Sequence, residues 1–177
     1  MTTEASVSWI SRAMSTSSES MTVLTSTVEE TVGLGERLGG LLAAGDVVAL
    51  VGPLGAGKTW FVKGVASGIG VSDVRQVRSP TFILVSEYEG RLRLYHVDAY
   101  RLTSSEELEA LGSRDFVFGD GVTVVEWADR VREGLPTDRL TVTFEHVDPT
   151  SRRLTFTASG GRARALLERL GRAGRGA

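Results

Sequence analysis

Eight consecutive residues constrain this chain more than anything else in it. Gly52-Pro53-Leu54-Gly55-Ala56-Gly57-Lys58-Thr59 fits G-x-x-x-x-G-K-[ST]. The pattern stands between a short, valine-rich apolar run (46–51) and a helical pattern over 58–68. A run of that kind is how a strand covered on both faces reads, so the local order is strand, loop, helix. The chemistry needs that order. Glycines let the backbone turn tightly, so that successive N–H groups face a phosphate. The helix that follows presents its positive end to the same anion. Lys58 can reach the β- and γ-phosphates as a point charge, and the Thr59 hydroxyl can take one magnesium position. The motif predicts a nucleoside triphosphate site along the loop Gly52 to Thr59. No Asn-Lys-x-Asp guanine-reading signature is present, which favours ATP.

Strands and helices alternate around this motif. Ser26/Glu29 and Thr27/Glu30 offer two overlapping capping boxes, and Leu34, Leu38, Leu41 and Leu42 recur at helical spacing, giving a helix over 27–43 that Gly45 stops. Residues 81–88 and 91–97 read as two strands of a hairpin turning at Glu89-Gly90. Ser104/Ser105 before Glu106 and Glu107 starts another helix. Residues 122–125 form a buried strand, 127–132 a short helix, 140–146 and 153–157 an antiparallel pair at a sheet edge, and 162–170 a closing helix. The expected fold is α/β, a P-loop NTPase-like three-layer arrangement with a mixed central sheet.

Residues 1–20, rich in Ser, Thr and Glu, bury too little to offset ordering entropy and read as a flexible N-terminal extension. Met21, where patterned sequence begins, is a candidate translation start that intact mass would decide. The nucleotide-binding domain then covers 21–171, and 172–177 read as a disordered basic tail. A net charge of -2 argues against a chain that grips nucleic acid alone. The absence of cysteine excludes disulfides and a thiol nucleophile. Neither a secretory signal nor a membrane-length apolar run is visible, so a cytoplasmic location is expected.

A phosphate loop of this type needs a carboxylate at the end of a neighbouring strand, to hold magnesium or its waters. Asp98 and Glu126 both qualify by position. His96 and Asp98, two apart on an extended segment, share one face. That spacing fits an imidazole beside a metal-facing carboxylate and equally a hydrogen-bonded core histidine.

The phosphate loop, Ser79-Pro80-Thr81-Phe82, His96-Val97-Asp98-Ala99-Tyr100-Arg101, Glu106-Glu107-Leu108 and Glu126-Trp127 come in an order and at intervals that resemble the bacterial TsaE (YjeE) family of small ATPases. The resemblance runs from about Ser26 to the final helix. It implies a role in making threonylcarbamoyladenosine, a modification 3′ of the anticodon in tRNAs that read codons starting with A. TsaD and its companion TsaB are the implied partners, with tRNA met indirectly through their complex. Slow ATP hydrolysis is implied to reset that complex between rounds. It further implies that Thr59 and Glu126 bind magnesium, that 54–59 wraps the phosphates and that Ser79 to Phe82 acts as a switch. Asp98 is implied to be needed for hydrolysis, and the backbone near Val28 to meet the base end of the nucleotide. The chain departs from the family pattern in its first 20 residues, in Pro53 and in an arginine-rich end (Arg162, Arg164, Arg169, Arg172, Arg175).

Physically, Pro80 restricts Ser79 to extended conformations and leaves Thr81 projecting, so its hydroxyl can sense a γ-phosphate. Asp98 is the candidate for positioning water. With no arginine assignable as a charge-stabilising finger, slow turnover alone and stimulation by a partner are expected. Two other classes stay open: a P-loop small-molecule kinase, and an ATP-sensing regulatory module that needs no hydrolysis.

Overall fold

The computed structural model describes residues 8–14 and 18–173, with side chains from Glu19 onward. Thirteen helices and strands follow one another: β1 (Ser8–Met14), β2 (Ser18–Thr25), α1 (Val28–Leu41), β3 (Val47–Val51), α2 (Lys58–Ile69), β4 (Val85–Glu89), β5 (Arg93–Asp98), α3 (Ser105–Ala110), α4 (Ser113–Val117), β6 (Val122–Glu126), β7 (Arg139–His146), β8 (Arg152–Ser159) and α5 (Gly161–Ala173). The sheet order is β1-β2-β8-β7-β3-β6-β5-β4. The centre is parallel, with β3 between β6 and β7 and β5 beside β6; the outer pairs are antiparallel. This is the mixed, three-layer α/β sheet expected.

The apolar run of β3 explains the layering. Val48 and Leu50 point into a core shared with α1, α2 and α5, while Val47 and Ala49 point the other way, into a core with Leu108, Phe116 and Val131. A strand buried on both faces must be apolar at every position. No helix among the described residues is long and apolar enough to cross a membrane.

Several local expectations need correction. The stretch 1–20 is not extension throughout: Ser8–Met14 pairs with Ser18–Thr25, which in turn pairs with β8. Its polar composition suits an edge, where backbone pairing supplies the order that burial does not. The pair β7–β8 lies inside the sheet, not at its edge, because β7 lies against β3 and β2 covers β8. The strand expected over 81–88 starts only at Val85. Residues 81–84 form a turn in which Leu84 takes a positive φ of 67°. The helix expected at 127–132 is a 3-10 segment, Ala128–Gly134. Arg172 ends inside α5, and the rest of the expected basic tail, 174–177, lies outside the described residues.

Helices α1 and α2 fix the site's frame, and they pack through glycine. Gly35 and Gly39 on α1 face Gly64 and Gly68 on α2, each pair four apart on one helical face. A Cβ at any of the four would collide with a carbonyl oxygen of the facing helix: Phe61 or Val65 from α1, Val32 or Glu36 from α2. Two backbones cannot yield as side-chain tips can. Gly64→Ala should therefore lose about 1–3 kcal/mol of stability, although alanine is the better helix former. Gly33 on α1 has nothing within 4 Å of a built Cβ, so Gly33→Ala should gain about 0.5–1 kcal/mol. Urea midpoints of the two variants check the opposite signs.

The α1 ends are also well made. Thr27 accepts from the Glu30 amide at 3.1 Å, and Glu30 returns a bond to the Ser26 amide at 2.6 Å. Of the two capping boxes, the fold uses Thr27/Glu30. The far end has no basic residue in its last turn. Arg91 instead donates to the Gly39 and Leu42 carbonyls, and Arg169 to that of Leu41. Cations from distant chain positions thus cap the negative end of α1.

Candidate functional site

The phosphate loop leaves β3 at Val51 and enters α2 at Lys58. Gly55 and Gly57 take φ of +73° and +100°, conformations that cost a residue with a Cβ. Gly57 is the N-cap of α2 and supplies no capping side chain, and the first turn holds no acidic residue. The first N–H groups of α2 therefore face the cleft without an intramolecular acceptor from a cap. Ala56 is fully buried beneath the loop and donates its amide to the Pro53 carbonyl. Pro53 serves the loop through its carbonyl, which accepts from the Ala56 amide and from Lys58.

Lys58 is almost wholly buried. Its Nζ donates to the Gly52 and Pro53 carbonyls at 2.7 and 2.8 Å and lies 3.9 Å from the centre of the Trp127 ring. Burial lowers the Lys58 pKa, and the carboxylates of Glu126, Asp129 and Asp98 oppose that shift. Trp127 is neither a plain core anchor nor a free surface residue. It holds an αL backbone (φ 58°), and Tyr100 packs on it at 5.0 Å.

The parallel register of β5 and β6 brings the acidic residues together. Asp98 is paired with Glu126, and His96 with Val124, so His96, Asp98 and Glu126 share the face that α2 covers. Glu126 accepts from the Thr59 hydroxyl at 3.0 and 3.1 Å and is joined to His96 Nε2 at 2.8 Å. Asp98 Oδ2 accepts from the hydroxyls of Ser79 and Thr81, the latter at 2.7 Å, while Oδ1 accepts from the Tyr100 amide at 2.9 Å. The turn that begins at Ser79 is thus tied to Asp98 by two hydroxyls. The sequence singled out the Thr81 hydroxyl for sensing a γ-phosphate and did not foresee that it and Ser79 both bond to Asp98.

One cleft of about 490 Å³ gathers the loop residues Leu54 to Thr59 with Ser79, Thr81, Asp98 and Glu126. A smaller cleft of about 120 Å³ adjoins it, sharing Gly55, Gly57 and Trp60 and lined further by Val28, Thr31, Thr150 and Arg152. Val28 thus lines the smaller cleft, next to the loop. Thr150, in the β7–β8 turn, and Arg152, the first residue of β8, carry no motif of their own and could not have been found from sequence. Among the described residues no three His, Cys, Asp or Glu side chains form a metal cage. Thr59, Glu126 and Asp98 are hard oxygen donors of the kind magnesium accepts, and that ion commonly completes its shell with substrate phosphates and water.

Against this geometry the comparisons with known proteins are direct. The profile of the family described as threonylcarbamoyl adenosine biosynthesis protein TsaE matches residues 25–154. The chain belongs to the TsaE family. It is 43% identical over 145 residues to the tRNA threonylcarbamoyladenosine biosynthesis protein TsaE of Bacillus subtilis, covering 81% of this chain and 89% of that one. It is 42% identical over 135 residues to the protein of that name from Treponema pallidum, covering 76% and 98%. The crystal structure of Bacillus subtilis YdiB superposes with a TM-score of 0.76 at 36% identity, covering 90% of this chain and 99% of that one. As a TsaE family member the chain has a role in tRNA threonylcarbamoyladenosine biosynthesis. The match at 25–154 starts just before α1 and takes in every residue of the two clefts, whereas β1, most of β2 and α5 lie outside it.

Proposed function

We propose that this chain binds ATP with magnesium in the larger cleft, hydrolyses it slowly, and thereby supports TsaD- and TsaB-type partners in forming threonylcarbamoyladenosine on tRNA. The observation that carries the reading is the bond from the Thr59 hydroxyl to Glu126, which joins the end of the phosphate loop to a strand-end carboxylate. The loop amides and the α2 N-terminus hold the phosphates. Lys58 exchanges its bonds to loop carbonyls for phosphate oxygens. Thr59 and Glu126 would hold magnesium, which would supply charge neutralisation at the transferring phosphoryl group. Asp98 orients a water and takes its proton as the water oxygen bonds to the γ-phosphorus. The bond from that phosphorus to the β-phosphate oxygen breaks, and ADP leaves with the electron pair. Ser79 and Thr81, bonded to Asp98, register whether the γ-phosphate is present. The smaller cleft receives the nucleoside end beside Val28.

Calorimetric titration with ATP, with and without magnesium, tests the site. Lys58→Ala should weaken binding roughly 10- to 100-fold through loss of a charge-assisted contact. If wild-type protein takes up no ATP in the presence of magnesium, or Lys58→Ala binds as well as wild type, the reading is lost. Depletion of the protein followed by mass analysis of tRNA nucleosides tests the pathway, where an unchanged threonylcarbamoyladenosine level would count against it. Equal hydrolysis rates with and without TsaD and TsaB would remove the partner's role in turnover. Labelled ATP that yields free phosphate, with no phosphorylated metabolite, separates this activity from a kinase.

A further inference from the structure

Resting on the reading that Glu126 serves magnesium, we propose that His96 is a positioning residue for that carboxylate and sets the magnesium affinity of the nucleotide site. His96 is fully buried, and its Nε2 lies 2.8 Å from Glu126 Oε1. Its other nitrogen, Nδ1, is also buried and has no hydrogen-bond partner. A carboxylate oxygen accepts, so the ring must donate from Nε2. The orphaned Nδ1 then fixes the rest, because a hydrogen there would be a buried donor with nothing to receive it, whereas a bare lone pair is the smaller loss. The imidazole carries its single hydrogen on Nε2, aimed at Glu126.

A core role does not account for this choice. On that face His96 has the apolar Leu94 and Val124 on its core side, and Asp98 and Glu126 on the other. An apolar ring would fill the same space without stranding Nδ1. What the imidazole adds is the bond to Oε1. Among the described residues only Thr59 and His96 donate to the Glu126 carboxylate. Thr59 approaches both oxygens almost equally and cannot by itself decide how the carboxylate is turned. His96 engages one oxygen only. It thereby holds the carboxylate plane and leaves Oε2, with Thr59 as its one donor, as the oxygen presented to a cation or its water. Groups that orient a metal-binding carboxylate act on affinity through pre-organisation.

The experiment is calorimetric binding of a non-hydrolysable ATP analogue across a magnesium series, on wild type, His96→Phe, His96→Gln and His96→Asn. Phenylalanine fills the space without a donor. Glutamine carries an N–H at about the reach of Nε2, and asparagine is too short. The magnesium dependence should weaken about 10-fold or more in His96→Phe and His96→Asn and return towards wild type in His96→Gln, with metal-free binding the same in all. Should His96→Phe fail to fold, the Gln/Asn contrast decides alone. Wild-type magnesium dependence in the Phe or Asn variant would overturn the proposal, as would an equal loss of metal-free binding, the mark of a merely structural role. A wild-type protein that binds the analogue without regard to magnesium would sink the metal reading itself, and this inference with it. Nitrogen-15 NMR of the metal-free protein gives a second readout, in which a proton on Nδ1 overturns the assignment.

Discussion

Asp98→Asn should keep ATP binding close to wild type and lose hydrolysis by a factor of about 10²–10⁴, the usual contribution of a positioned general base. Asparagine retains an oxygen for the Tyr100 amide, and the Ser79 and Thr81 hydroxyls can turn to accept where they now donate. The fold has little reason to change. What disappears is the acceptor for the proton of the attacking water. Single-turnover hydrolysis beside a binding isotherm separates the two quantities. A rate close to wild type would remove Asp98 from the chemistry and leave it as an anchor for the 79–84 turn. Tight binding with no turnover is also the protein state in which the regulatory alternative can be tested, by asking whether tRNA modification survives.

Phe61→Ala is expected to be the most destabilising of the substitutions considered, by about 3–5 kcal/mol. Phe61 sits in the first turn of α2 and is fully buried. Its ring meets Phe144 edge-on at 5.6 Å and Phe156 at 6.1 Å, tying the helix that carries Lys58 and Thr59 to β7 and β8. Truncation opens a cavity between two rigid elements, neither of which can collapse into it. For a chain of this length the loss corresponds to a fall in Tm of roughly 10 °C. Denaturant midpoints and calorimetry provide the check, and a loss below about 1 kcal/mol would show that the α2–sheet contact is held elsewhere. Because the phosphate loop runs directly into this turn, the ATP affinity of the folded variant should fall too.

The sequence alone determined the phosphate loop, because its information is local. Glycines at fixed intervals, a preceding apolar strand and a following helix are all short-range properties, and positive φ at Gly55 and Gly57 is what those residue types permit. The same holds for the period-two pattern that puts His96 and Asp98 on one face, and for the Thr27/Glu30 cap. Strand order, by contrast, depends on which backbones pair across long separations, and neither end of β7 says that it lies beside β3. For that reason the β7–β8 pair read as an edge, and the polar stretch ending at Thr25 did not read as strand. Arg162 and Arg169, part of the arginine-rich end, bind Asp46 with the Ala44 carbonyl and the Leu41 carbonyl respectively, partners that no local pattern announces. Only the tertiary structure decided how the carboxylates are shared. It gave Glu126 to Thr59 and His96, and Asp98 to the switch hydroxyls. Parallel registration of β5 with β6 sets those distances, and registration is a property of the packed sheet, not of either strand.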